Sequence, residues 1–164
     1  MPFCPAPGAF QPLKIQKYEI MKAIQIKSYG DPLKVLEIAD IPEPKLPAPN
    51  EALLGIEIVP LNKHDLLFIG NALGSGPPLP TVVGNEGFGR VLAVGSGVKN
   101  VKVGDRVLAP IFAGTWREKM IVPASSLFPL PDGDPQQFSM LSGNPPTAAL
   151  ILTEYTPQFQ KNRR

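Results

Sequence analysis

Three short stretches of this chain carry residues able to do chemistry: "LNKHD" at Leu61–Asp65, "GNEG" at Gly84–Gly87 and "GNPPT" at Gly143–Thr147. The amides of Asn62, Asn85 and Asn144 can donate or accept hydrogen bonds, and His64 can exchange a proton near neutral pH. Asp65 and Glu86 add two carboxyl groups. The middle stretch belongs to "VVGNEGFGRV", Val82–Val91, in which three glycines surround Glu86. That run admits three readings: a phosphate-cradling dinucleotide loop, the remains of a metal site, or a tight turn.

The first reading requires G-x-G-x-x-G between a strand and a helix, with pyrophosphate at the helix N-terminus. Gly87 and Gly89 supply the first pair, but Leu92 takes the third position, and the following "RVLAV" is a strand pattern. The loop reading fails. A catalytic zinc generally takes three protein ligands, with Cys and His prominent. The chain owns one Cys, Cys4, and one His, His64, so a catalytic zinc site built on Cys and His is excluded and no metal ligands are assigned.

Short elements must position these residues. Met21–Lys27 reads as a strand closed by the turn signal "YGDP", and Glu51–Val59 alternates, with Ala52, Leu54, Ile56 and Ile58 sharing one side. Between them "IPEPKLPAPN" is a connector too rich in proline for helix or central strand. Asn62 stands where it can cap a short helix that carries Leu66, Leu67 and Ile69 and stops at Gly70. Further β pieces are expected at Gly89–Val94, Arg106–Ile111, Arg117–Val122 and Leu127–Leu130, with reversals at Gly-Ser-Gly and Gly-Asp. Asp134 with Pro135, and Asn144 with Pro145, both read as helix starts. Many short strands with regular turns predict a mainly β barrel or sandwich with short helices.

The totals agree. The chain has 164 residues, 43% of them hydrophobic, enough for one domain with a sizeable core. Its 21 prolines argue against long helices over most of its length. A net charge of +2 gives no reason to expect nucleic acid or an anionic membrane as partner. One cysteine leaves no internal disulfide, and no apolar run approaches the ~18 residues of a membrane span. A soluble, cytoplasmic protein is expected, with mitochondria not excluded. Residues 1–20 lack the pattern of a secretory or mitochondrial leader and read as a disordered extension.

In order and spacing, "GIEIVPLNKHDLL", "VVGNEGFGRVLAVGSGVKNVKVGDRV", "GTWREKMIVP" and "GNPPTAALIL" resemble the N-terminal part of the medium-chain dehydrogenase/reductase superfamily. Within it, the zinc-free quinone oxidoreductase and 2-enoyl thioester reductase branch is the most similar. The resemblance implies a GroES-like, partly open β-barrel whose C-terminal helix would lead into a Rossmann domain. It also implies NADPH as cofactor and a small-molecule substrate. Asn85 and Asn62 occupy the positions of metal ligands in zinc-dependent members.

By carry-over, Asn62 is a candidate for catalysis and cofactor binding, with helix capping as the plain alternative. His64, where many relatives have a small hydroxyl residue that relays protons, is a catalytic candidate with a surface histidine as its alternative. Asn144 and Thr147 are cofactor-binding candidates at the helix start, where Asn144 also reads as a cap. Asn85 and Trp116 are candidates for the substrate cleft, although Trp116 reads equally as a barrel-core anchor. Glu86 reads as a buried or turn-stabilising carboxylate. The enoyl-reductase branch carries a tyrosine where this chain has Ala72 and Leu73, so "zinc-independent NADPH oxidoreductase" is the safer description.

The resemblance covers about residues 21–155, and "TEYTPQFQKNRR" diverges near Pro157. The expected organisation is therefore an extension at 1–20, a GroES-like substrate-side domain at 21–143, and at 144–164 the start of a linker with a divergent tail. On this reading most of the cofactor site is absent and the chain alone is inactive. The alternative function is a GroES-like binding or interaction module without catalysis. In either case the uncovered apolar run "AALIL", Ala148–Leu152, is expected to promote self-association.

Overall fold

The computed structural model describes residues 19–72, 74 and 76–161. The extension predicted at 1–20 lies almost wholly outside them, and β1 (Ile20–Ile26) begins one residue ahead of Met21. β1 is the centre of a three-stranded antiparallel sheet, between β2 (Leu36–Pro42) and the two-residue β4 (Thr81–Val82). The four-residue helix α1 (Pro32–Val35) links β1 to β2, and the Asp31 carboxylate caps it by accepting from Leu33 N–H.

The second sheet is also antiparallel, in the order β6 (Arg106–Leu108), β5 (Phe88–Val94), β3 (Glu51–Ile58), β7 (Lys119–Pro123). Along β3 the predicted alternation buries Ala52 and Leu54 against Val91, Val107, Met120 and Val122. A second, smaller core joins Ile26, Ile69, Val83 and Trp116. Backbone bonds from Ile24 to Trp116 (2.8 Å), Trp116 to Val83 (2.9 Å) and Val83 to Ile24 (3.1 Å) knit the two sheets together at one corner. Among the described residues the sheets do not close into a full barrel.

The glycines of "VVGNEGFGRV" act as turn and strand-entry residues. Gly84 has φ +103°, and a Cβ there would lie 2.3 Å from the Trp116 ring. A Cβ on Gly89 would lie 2.2 Å from the Gly55 carbonyl across the β3–β5 pair. Only glycine allows the backbone to approach so closely at both points.

Three sequence expectations need correction. Leu127–Leu130 is not a strand: Leu127 is buried, and Leu130 N–H makes a single bond to Arg106 O. The strand expected at Arg106–Ile111 stops at Leu108, because Ala109 turns inward to Gly87 O and Phe112 takes a positive φ. The sequence reading also passed over β2, an edge strand whose charges and terminal proline hide its period.

α2 (Lys63–Ile69) ends with Gly70 as its C-cap, as expected. α3 (Pro135–Phe138) starts with the Asp134 cap, which accepts from Gln136 N–H at 2.9 Å. α4 (Asn144–Lys161) is the longest helix, and Leu150, Ile151 and Leu152 on it are exposed.

Candidate active site

The three chemical stretches meet in space. α2 brings Asn62, His64 and Asp65, the turn before β5 brings Asn85 and Glu86, and the start of α4 brings Gly143 and Asn144. Asp65 organises the first two. It is 2% exposed, and its carboxylate accepts from Asn62 N–H at 2.7 Å and from Asn85 N–H at 3.0 Å. The first of these bonds is half of a capping box at the start of α2. The second ties the glycine turn to the helix. Thr115 completes the frame, its hydroxyl donating to the Glu86 carbonyl at 2.6 Å.

Asn62 is therefore both an N-cap and a member of the cluster. Its Nδ2 donates to Glu86 Oε2 at 2.5 Å, and its Oδ1 accepts from Asn144 Nδ2 at 3.4 Å. Glu86 is 7% exposed, and its Oε1 has no hydrogen-bond partner. Burial first, and the neighbouring Asp65 charge second, push the Glu86 pKa above the ordinary carboxylate value. The Gly143 amide and His64 oppose the rise.

His64 is half-buried, with its ring tilted against Phe112 at a centroid distance of 5.2 Å. Asn85 Nδ2 lies 2.9 Å from His64 Nδ1, and with the amide donating, the neutral imidazole keeps its proton on Nε2. Asn85 itself is buried, its amide engaged by His64.

Thr147 stands apart. Its hydroxyl donates to Gly143 O at 3.0 Å, one turn back along α4, and the side chain is exposed. Trp116 is 8% exposed in the small core, with its indole nitrogen unpartnered, and it also lines an open apolar groove of about 630 Å³. Ile24, Ile38, Ile56, Ile58 and Leu61 form much of that groove, and Thr115 is its one residue shared with the polar cluster's frame. Asn62, His64, Asn85 and Glu86 do not line it.

The sequence reading had no role for Thr115, a single hydroxyl in a strand approach with no pattern around it. Asp65 did carry a signal, the N-x-x-D spacing of a capping box. Among the described residues no three His, Cys, Asp or Glu side chains gather as a metal-holding group, and Cys4 lies outside those residues.

Two small antiparallel sheets with a polar cluster on the loops at one corner define a GroES-like domain. Residues 48–132 match the family model of the alcohol dehydrogenase GroES-like domain. The chain belongs to that family, within the medium-chain dehydrogenase/reductase superfamily that its motifs resemble. It is 36% identical over 139 residues to the mitochondrial enoyl-[acyl-carrier-protein] reductase of Bos taurus, an alignment covering 82% of this chain and 36% of the relative.

Among solved structures, a quinone oxidoreductase of Pseudomonas syringae is 35% identical with a TM-score of 0.63, over 74% of this chain and 37% of that one. The complex of the Candida tropicalis 2-enoyl thioester reductase Etr1p with NADP and crotonyl-CoA is 27% identical with a TM-score of 0.73. That match covers 84% of this chain and 44% of the reductase. The chain thus spans less than half the length of these relatives. Among its described residues no helix is long and apolar enough to cross a membrane.

Proposed function

We propose that the chain is the substrate-side part of a zinc-independent, NAD(P)H-dependent oxidoreductase that reduces activated C=C bonds, such as enoyl thioesters, or quinones. The observation that carries this reading is the convergence of Asn62, His64, Asn85, Glu86 and Asn144 on a fold shared with proteins named as such reductases. NADPH, when bound, supplies a hydride to the substrate. Asn62 and Asn144 are the residues that would hold it, since both present amide groups at the rim of the cluster. Thr147 is the third candidate: its hydroxyl donates to Gly143 O, and its oxygen remains able to accept.

His64 Nε2–H can donate a hydrogen bond to the substrate. As the acid of the reduction His64 would act from its imidazolium form, with the Asn85 amide oxygen turned to accept from Nδ1–H and the neutral ring left after transfer. Phe112 packs against one side of its ring at a centroid distance of 5.2 Å. Tyr29 does not take this part: its hydroxyl donates to Pro77 O at 2.5 Å. Trp116 supports the cleft from the core side through its packing on Val83 and Ile26.

The cofactor half is read as lying outside this sequence. Reading the nucleotide sequence downstream in three frames for a strand and a Gly-rich loop tests this, and finding neither leaves the enzyme reading without a cofactor site. The second reading, a GroES-like binding module, is favoured by the exposed Leu150, Ile151 and Leu152 on α4. Saturable NADPH oxidation by the purified chain with crotonyl-CoA or a quinone would rule it out. On the first reading the chain alone gives none, and it self-associates through α4. A monomer by size exclusion at high concentration refutes that association. The cytoplasm remains the proposed compartment, with mitochondria as the alternative that the names of several relatives support.

A further inference from the structure

We propose that Glu86 is the positioning residue of this site: its buried carboxylate holds the Asn62 amide so that the amide oxygen, and not the nitrogen, faces the start of α4. This inference rests on the reading that Asn62 lines the reductase cleft, and it deepens it. Asn62 then meets its ligand as an acceptor. The group it selects is a ligand hydroxyl or N–H, and a substrate carbonyl is disfavoured there.

The argument is one of hydrogen-bond inventory. An ionised carboxylate has only acceptors, so the Asn62 side facing Glu86 Oε2 must be its NH₂. The oxygen is left to point at Asn144, whose Nδ2 sits 3.4 Å away. A bond of that length is weak and yields to a better donor. The amide is polarised from both ends, since donation to an anion at Nδ2 strengthens Oδ1 as an acceptor.

Glu86 itself has little freedom. Thr115 grips its carbonyl at 2.6 Å, and the Gly143 backbone closes over the carboxylate, where a Cβ would lie 3.1 Å from Oε1 and 3.3 Å from Oε2. The charged or titratable groups that face it are Asp65 and His64, both from α2. Thr115, and Asn144 with its neighbour Pro145 at the start of α4, bring no ionisable group. Once protonated, Glu86 is both donor and acceptor, and it no longer forces one orientation on Asn62.

The test is side-chain NMR on this chain, following Asn62 Nδ2 and Glu86 Cδ from about pH 4 to about pH 8. The expected result is a shared midpoint for the two nuclei, above the ordinary carboxylate range. In Glu86→Gln the Asn62 change at that midpoint disappears. An Asn62 signal that stays flat through the Glu86 titration overturns the proposal, as does one that moves identically in Glu86→Gln. The Trp116 indole resonance checks that the variant is folded, and if it is not, the shared midpoint in the unsubstituted chain decides. The readout needs no turnover, so failure of the reductase reading shows separately in the NADPH assay.

Discussion

Gly84→Ala probes the turn that carries Asn85 and Glu86 into the site. At φ +103° an L-residue is strained by about 1–2 kcal/mol. The added methyl would also meet Trp116 Cδ1 at 2.3 Å, Thr115 Oγ1 at 2.6 Å and the Trp116 backbone nitrogen at 2.8 Å. The last is backbone already bonded to Val83 O, so it cannot simply rotate away. Overpacking of this kind costs about 1–3 kcal/mol. Together the two effects remove about 2–5 kcal/mol from a stability on the order of 5–15 kcal/mol. With a urea slope of about 1–3 kcal/mol/M, the unfolding midpoint should fall by on the order of 1–3 M.

Gly104→Ala is the matched control. Its φ is +93°, and no heavy atom lies within 4 Å of the added Cβ, so only the backbone cost of about 1–2 kcal/mol remains. Urea unfolding followed by Trp116 fluorescence measures both variants. Equal midpoints for the two would refute the close contact between the glycine turn and the Thr115–Trp116 segment.

Other consequences follow from the same geometry. Asp65→Asn leaves one oxygen for two buried backbone donors, and should cost about 1–3 kcal/mol in a denaturant titration. It also removes the charge that helps raise Glu86, so the Glu86 carboxyl should titrate lower when followed by carbon NMR. Thr115→Val strips the Glu86 carbonyl of its buried donor and should cost about 1–3 kcal/mol, with the loss read as a lower melting temperature. The raised Glu86 pKa has a definite sign in stability. The unfolded chain releases this proton first, so the Glu86 contribution is greatest below the ordinary carboxylate value and is lost as pH rises through the folded one. Subtracting the stability profile of Glu86→Gln should isolate that fall, and a difference that instead grows with pH would contradict it.

Much of the fold was legible because local patterns did not compete. The alternation of Ala52 and Leu54, the Asp134–Pro135 helix start and the Gly70 stop each depend on a few neighbouring residues. β2 was not legible, since "LEIADIP" gains its strand state from its register against β1 and not from a period of its own. The apolar Leu127–Leu130 run misled for the opposite reason: Leu127 is buried in the core without joining a ladder. Site residues divide in the same way. Asn62, His64 and Asn85 could be named from their motifs, whereas Thr115 enters the site only because the corner between the sheets places it beside Glu86.

By itself, the sequence determined the chemical inventory of the three stretches: three amides, one imidazole and two carboxyl groups on short elements. Only tertiary structure decided how those groups face one another. Asn62 and Glu86 are 24 residues apart, and Asn62 and Asn144 are 82 apart. No local preference can set the direction of hydrogen bonds across such separations. That direction comes from burial, which denies Glu86 water and leaves the Asn62 nitrogen as the partner of its Oε2.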